Sequence, residues 1–214
     1  MVRPEVRKTS SSLQSPALGG PLLVVLSGPS GVGKDSALAK MRTMARQWHF
    51  VVTITTRPRR ANEQDGINYI FLDRPQFEAM RDGGDLLEYA EVYGHWYGVP
   101  RQQVREALQR GEDVILKVDV QGAATVKQLA PQGVFIFLGP PTIEELRRRL
   151  RQRATESGAE MDIRVEAAQQ EMECLPMFDY HVLSHYGGLD DVVECIDAIM
   201  MAEKCRIPPR EVVL

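Results

Sequence analysis

The chain has 214 residues, 43% of them hydrophobic and 26% charged, and a formal net charge of −3. This composition suits one soluble domain with a substantial core, and it excludes the strongly basic surface of a bulk nucleic-acid binder. No apolar run approaches the roughly 20 residues that a membrane-spanning helix needs.

Residues 1–20 are rich in Ser, Pro and Gly without periodicity, and a disordered leader is expected there. Arg3, Arg7 and Lys8 against Glu5 give a faint targeting character, but no apolar segment makes a secretory signal. Leu22 to Leu26 is an apolar run with the length of a strand buried on both faces. It continues into Gly28-x-x-Gly31-x-Gly33-Lys34 and then into helix-forming residues. Strand, glycine loop and helix are the context of a phosphate-binding loop, formed here by Gly28, Pro29, Ser30, Gly31, Val32, Gly33, Lys34, Asp35 and Ser36. Glycines let backbone N–H groups turn toward an anion, the helix N-terminus adds partial positive charge, and Lys34 adds a full one. An ordinary glycine turn before a helix is the plain alternative. The usual pattern follows the lysine with Ser or Thr, whose hydroxyl binds Mg²⁺. Here Asp35 takes that place and the hydroxyl comes one residue late, at Ser36. A carboxylate can ligate Mg²⁺, but it also repels phosphate oxygens.

Leu38, Met41 and Ala45 fall at helical spacing, so a helix is expected from Lys34 to about Arg46. Phe50 to Thr55 reads as a strand, followed by the cationic loop Thr55-Thr56-Arg57-Pro58-Arg59-Arg60. A turn-forming run from Asn62 to Gly66 leads to a strand over Ile67 to Leu72. Asp73 then caps a short helix ending near Gly83-Gly84. Leu86 to Tyr93, Gly94-His95 and Trp96-Tyr97-Gly98 have hairpin character. Helix and strand alternate again from Pro100, which opens a helix carrying Val104 and Leu108 and closed by Gly111. A strand over Asp113 to Asp119, a helix after Gly122 and a strand over Val134 to Leu138 follow. Thr142 and Glu145 have capping-box spacing before a helix bearing Arg147, Arg148, Arg149, Arg151 and Arg153. A loop at Thr155 to Gly158, a helix over Met161 to Glu173, a strand over His181 to Leu183 and a helix over Leu189 to Lys204 complete the pattern. The implied fold is α/β: an open parallel sheet of the phosphate-loop NTPase type, with helices on its faces, a β-rich insertion and an Arg-rich helical lid.

An acid at the C-terminal end of a core strand faces the crevice in which open α/β sheets bind ligands. Asp119 is placed to serve Mg²⁺ or substrate, or simply to cap the next helix. Arginine offers a planar fork for phosphate oxygens. The stretch from Arg147 to Arg153, with Arg57 and Arg60, therefore divides between surface charge and phosphate clamp. The three cysteines, Cys174, Cys195 and Cys205, have no metal-type spacing, and their odd number argues against a disulfide framework; a reducing cytoplasm is the simplest compartment. The four histidines form no ligand pattern.

Gly-Pro-Ser-Gly-Val-Gly-Lys, Thr55-Thr56-Arg57-x-x-Arg60, Asp65-Gly66-x-x-Tyr69, Glu88, Tyr97-Gly98, Asp119-x-Gln121-Gly122 and Pro140-Pro141 occur in an order that resembles the guanylate kinases, over about Leu22 to Lys204. The resemblance implies ATP and GMP as substrates, with Mg²⁺ and no nucleic-acid or membrane partner. It leaves monomer or homo-oligomer open. It implies that Thr53, Arg57, Arg60, Tyr69 and Tyr97 hold the GMP phosphate. Glu88 would accept from guanine N1 and N2, with Asp119 on the same substrate side. Lys34 and the lid arginines Arg149, Arg153 and Arg164 would neutralise the transferring phosphoryl group, and Asp35 is the candidate metal ligand. Departures stand out. Val99 replaces a Ser or Thr that touches guanine O6, Lys117 replaces an acid, and Ser184-His185 replaces an Asn-Asp pair near adenine. Ribose 1,5-bisphosphate phosphokinases share a Gly-Lys-Asp-Ser loop and supply one rival, and non-catalytic guanylate-kinase-like binding modules another. The expected organisation is a leader at 1–20, a domain at 21–206 and a tail at 207–214. Within that domain the core would be 21–50, 100–143 and 168–206, the GMP-binding insertion 51–99 and the lid 144–167.

Overall fold

The computed structural model describes residues 19–61, 63–92, 94–153 and 158–214, with backbone alone for 151–153 and 158–164. The leader up to residue 18, the loop expected near Thr155 and the side chains of Arg151, Arg153 and Arg164 lie outside the described residues.

Among the described residues the first element is β1 (Leu23–Ser27), all five residues of which are buried. Next come α1 (Lys34–Met41), β2 (Trp48–Phe50), β3 (Ile54–Thr55), β4 (Ile70–Phe71), α2 (Arg74–Asp82), β5 (Leu86–Val92) and β6 (His95–Pro100). They are followed by α3 (Arg101–Gln109), β7 (Asp113–Lys117), α4 (Val120–Leu129), β8 (Val134–Gly139) and α5 (Ile143–Arg153). Finally come α6 (Gly158–Glu173), a 3₁₀ turn at Leu175–Met177, β9 (Tyr180–Leu183) and α7 (Leu189–Lys204).

Five strands form a parallel sheet in the order β2-β7-β1-β8-β9. Side chains alternate across a strand, so β1 serves two cores. Leu22, Val24 and Leu26 pack with Leu38 and Met41 of α1 and with Val192, Ile196 and Met200 of α7. Leu23 and Val25 pack on the other face with Val104 and Ala107 of α3 and Ala123 and Val126 of α4. Each buried Leu or Val contributes about 1.5–3 kcal/mol relative to exposure, which is why this run forms the centre.

A second sheet, β4-β3-β6-β5, stands apart from the first. Ile54, Leu86 and Phe77 of α2 form its core. The α2 helix starts where its sequence says: Asp73 accepts from Gln76 N–H at 2.9 Å while Gln76 Oε1 accepts from Asp73 N–H at 3.1 Å. The β5–β6 register shifts between Leu86 and Glu88. Such a shift re-aims side chains, and here three consecutive residues, Leu86, Leu87 and Glu88, are all buried. The helices α5 and α6 share a smaller core of Leu146, Leu150, Val165 and Ala168.

Several elements differ from expectation. The run Phe50 to Thr55 is divided between β2 in the large sheet and β3 in the small one, because Val51 N–H already reaches the Ile115 carbonyl while Ile54 pairs with Gly98. The α1 helix stops at Met41, where Thr43 Oγ1 donates to the Lys40 carbonyl at 2.7 Å and closes the last turn. Thr142 accepts from Glu145 N–H at 3.1 Å, but the Glu145 carboxylate turns to Arg148 and Arg149 rather than back to the cap. No helix among the described residues is long and apolar enough to cross a membrane.

Both ends of the body are tied down. Gly19 N–H donates to the Lys204 carbonyl at 2.9 Å, and the Lys204 ammonium donates to the Gly20 carbonyl at 3.0 Å. Residues 207–214 pack on the body, with Val212 and Leu214 against the second core. Arg210 donates twice to Glu203, both at 2.8 Å, and Tyr180 donates to the same carboxylate at 2.7 Å. Glu203 is 3% exposed. The Arg210 hydrogen bonds, helped by Tyr180, outweigh burial and hold its pKa at about 2. Arg210→Ala removes the nearer cation of that buried carboxylate, leaving Arg206 at 3.7 Å, and is expected to cost about 3 kcal/mol at neutral pH. A depressed carboxyl pKa adds stability above its unfolded value and loses it as pH falls through the folded one. The gap between wild type and variant in urea unfolding should therefore narrow as pH falls from 4.5 to about 2.

Candidate active site

The phosphate loop leaves β1 at the C-terminal edge of the large sheet. Gly28 has a φ of 134°, and a Cβ there would lie 2.0 Å from the Leu138 carbonyl oxygen, so only glycine can turn against β8 at this point. Lys34 folds back over the loop, its ammonium donating to the carbonyls of Gly28 and Pro29. Burial lowers the Lys34 pKa, and the carboxylates of Glu171 and Asp35 oppose that shift. Glu171, on α6, also accepts from Ser30 N–H at 3.3 Å. Val32 turns away into the first core and offers the loop only its backbone.

A cavity of about 250 Å³ opens beside the loop. It gathers Gly28, Pro29, Ser30, Gly31, Gly33, Lys34, Asp35 and Ser36 on one bank and Thr53, Arg57, Arg60, Tyr69, Glu88 and Tyr97 on the other, with Asp119 between. The 51–99 segment and the loop therefore face a common space. Arg57 donates to Glu63 at 2.7 Å and to the Pro58 carbonyl at 2.6 Å, and its guanidinium lies 5.4 Å from the Tyr69 ring centre. Burial works against its charge, but hydrogen bonds to Glu63 and Tyr97 prevail and raise its pKa. Glu63 also accepts from Arg60 N–H at 2.8 Å. One carboxylate outside the expected set thus fixes the Arg57 side chain and the Arg60 backbone.

Lys117, at the end of β7, donates to Asp35 at 2.6 Å and to the Tyr69 hydroxyl at 2.8 Å. Asp119 caps α4, accepting from Gly122 N–H at 2.7 Å, while also lining the cavity. Glu88 is 4% exposed, and its Oε2 has no hydrogen-bond partner among the described residues. Burial, then the nearby Asp119 charge, push its pKa up to about 8. Gly122 makes room for it, since a Cβ there would come within 2.6 Å of Glu88 Oε2. Val99 sits in the second core rather than on the cavity wall.

A second cavity, about 260 Å³, opens across the loop and shares Gly31, Gly33 and Ser36 with the first. Ser184, His185, Tyr186 and Arg149 line it. Arg149 donates to the Ser184 carbonyl at 2.6 Å, to Ser184 Oγ at 3.1 Å and to the Val32 carbonyl at 3.2 Å, and Glu145 steadies it at 2.9 Å. Arg147 and Arg148 are exposed, and Arg148 lies over the Tyr186 ring. Glu63, Lys117 and Glu171 are the site residues that pattern reading did not select. Lys117 was visible only as a departure, and Glu171 has no local signal, since its loop contact spans 141 positions.

A lysine folded onto its own glycine loop, at the C-terminal edge of a parallel sheet, is the arrangement of phosphate-loop kinases. The model of the guanylate kinase family matches residues 21–203, and the chain belongs to that family. A guanylate kinase of Halalkalibacterium halodurans is 44% identical over 185 residues, covering 86% of this chain and 90% of that protein. One of Thermus thermophilus is 45% identical over 184 residues, covering 86% and 82%. Guanylate kinase 2, chloroplastic/mitochondrial, of Oryza sativa is 40% identical over 193 residues, covering 90% and 68%. The crystal structure of guanylate kinase from Anaplasma phagocytophilum matches with a TM-score of 0.74 at 28% identity, covering 88% of each chain.

The buried Glu88 carboxyl has a thermodynamic signature. A carboxyl whose pKa rises on folding costs stability as pH climbs from its unfolded value of 4.5 toward 8. Glu88→Gln removes that cost. Thermal unfolding should show the variant gaining about 5 °C more over wild type near pH 8.5 than near pH 5.

Proposed function

We propose that the protein transfers the γ-phosphoryl group of ATP to GMP, giving ADP and GDP. The strongest support is the one cavity shared by the phosphate loop, the Arg57–Tyr69–Tyr97 cluster and the buried carboxyl of Glu88. Guanine presents N1–H and N2–H donors that Glu88 can accept. Adenine presents neither in that place and would leave the buried carboxyl unpaired, a penalty of about 1–3 kcal/mol. Thr53, Arg57, Arg60, Tyr69 and Tyr97 are assigned to the GMP phosphate, with Asp119 on the same side. The loop from Gly28 to Ser36 takes the ATP phosphates, and the second cavity, lined by Ser184 and His185, takes the adenosine.

In the reaction a phosphate oxygen of GMP attacks the γ-phosphorus in line. A new O–P bond forms as the bond to the β-bridging oxygen breaks, and no covalent protein intermediate is needed. The chain's contribution is position and charge. Lys34 leaves its loop carbonyls for the transferring oxygens, and Arg149, Arg153 and Arg164 close from the lid at 144–167 over the insertion at 51–99. Closure excludes water that would otherwise hydrolyse ATP.

Mg²⁺ fits this site as an ion carried in on the nucleotide. It is commonly held by one or two carboxylates together with phosphate oxygens and water, without a protein cage. Among the described residues no cluster of three acidic, His or Cys ligands exists, while Asp35 presents an 80% exposed carboxylate at the loop. Asp35 would hold the ion, which when bound offsets the charge of the β- and γ-phosphates.

A coupled assay offering ATP with GMP, AMP or ribose 1,5-bisphosphate tests the assignment. GMP should be the preferred acceptor, and phosphorylation of the sugar but not GMP would overturn it. Lys34→Met should lower kcat by about 100-fold or more with the melting curve retained. Glu88→Gln should raise KM for GMP by about tenfold or more while leaving KM for ATP within about twofold. Asp35→Ser should keep turnover and move the Mg²⁺ titration midpoint. An unmoved midpoint would mean that Asp35 is no metal ligand.

A further inference from the structure

Two positions at which this sequence departs from the guanylate kinase pattern, 82 residues apart, meet in space. Asp35 stands where a hydroxyl is usual and Lys117 where an acid is common, and they form one ion pair. Lys117 ends β7 with Leu26 as its register partner, two residues before Gly28, so its side chain starts beside the phosphate loop. That side chain is 14% exposed. Its ammonium lies 2.6 Å from Asp35, 2.8 Å from the Tyr69 hydroxyl and 4.4 Å from the Tyr69 ring centre.

A lysine needed only to balance an exposed aspartate would do so from water, where such a pair is worth about 0–1 kcal/mol. Lys117 is instead withdrawn beneath Tyr69 and shares a cavity with Lys34. Each of the two ammonium groups already faces a carboxylate, and a doubly charged phosphate entering the cleft meets positive charge from both. Tyr69 in turn meets Tyr97 edge to face at 6.0 Å and lies under Arg57.

The geometry points to Lys117 as a phosphate-contacting residue of this enzyme. With Arg57 and Tyr69 it grips the phosphate of the acceptor nucleotide, and Asp35 holds it within reach between acceptor and loop. This rests on the reading of GMP as acceptor.

Calorimetric titration of the full chain with GMP and with guanosine, without ATP or Mg²⁺, isolates the contact from the metal. Lys117→Gln should weaken GMP by about tenfold or more and leave guanosine within about twofold. Lys117→Arg, which keeps the charge, should retain most of the GMP affinity. The neutral pair Asp35→Asn with Lys117→Gln should bind GMP as weakly as Lys117→Gln alone. Recovery to wild-type affinity in that double variant would show that Lys117 merely balances Asp35, and would overturn the proposal. Equal loss of GMP and guanosine would also overturn it. Should Lys117→Gln fail to fold, amine acetylation of the wild type decides: GMP should protect Lys117 and guanosine should not, and absence of GMP protection refutes the contact. Wild-type turnover of GMP with ATP tests the parent reading separately. Its absence removes the GMP site, whereas normal turnover with unaltered GMP binding in Lys117→Gln removes only the role of Lys117.

Discussion

Parallel pairing of β1 with β7, which sets Leu26 beside Lys117, is the constraint on which the cleft depends. β1 runs on into the phosphate loop, and β7 runs on into Val118, Asp119 and α4. One register therefore positions both the loop and the strand end facing it. A slip of one residue would turn Lys117 to the opposite face, exchange the two cores and part Lys117 from Asp35. β8 locks the register from the other side, because the Leu138 carbonyl leaves no space for a side chain at Gly28.

Four cations of the cleft are matched with a carboxylate before any nucleotide is considered. Glu63 holds Arg57, Glu145 holds Arg149, Asp35 holds Lys117, and Glu171 faces Lys34. Long flexible side chains lose rotamer freedom when ordered, and these pairings have already ordered them. They also keep like charges from driving the cavity apart. Glu88 is the exception, a carboxyl with no cation and with one oxygen unpartnered among the described residues. Its burial works against folding, a cost common at functional sites.

What the sequence disclosed and what it withheld follow from the range of the interactions. The apolar run at Leu22 to Leu26, the glycine loop, the Asp73 cap and the hairpin around Gly94 are local patterns, and each left a mark in a few adjacent residues. The division of Phe50 to Thr55 between two sheets was not legible, because β-branched and aromatic residues suit either one. Its break is set by partners at Ile115 and Gly98, far away in the chain. Glu63 falls within a turn-forming run and Glu171 within a helix, and neither carries a local mark of its distant role. The union of Asp35 with Lys117 was equally hidden. Each appeared alone as an oddity, and only the β1–β7 register shows that one compensates the other.

The bond between Gly19 and Lys204 carries a mechanical consequence. Both residues lie at the edge of the sheet where β1 begins, roughly the length of five extended residues from the cleft. A force drawing residues 19 and 204 apart would shear that clasp before it loaded the β1–β7 seam. The same proximity suits the fold to circular permutation, provided that the bridge keeps residues 207–214 packed on the second core: new ends opened in an exposed turn such as Gly83-Gly84 would redraw the chain's connectivity while the two banks of the cleft kept their places.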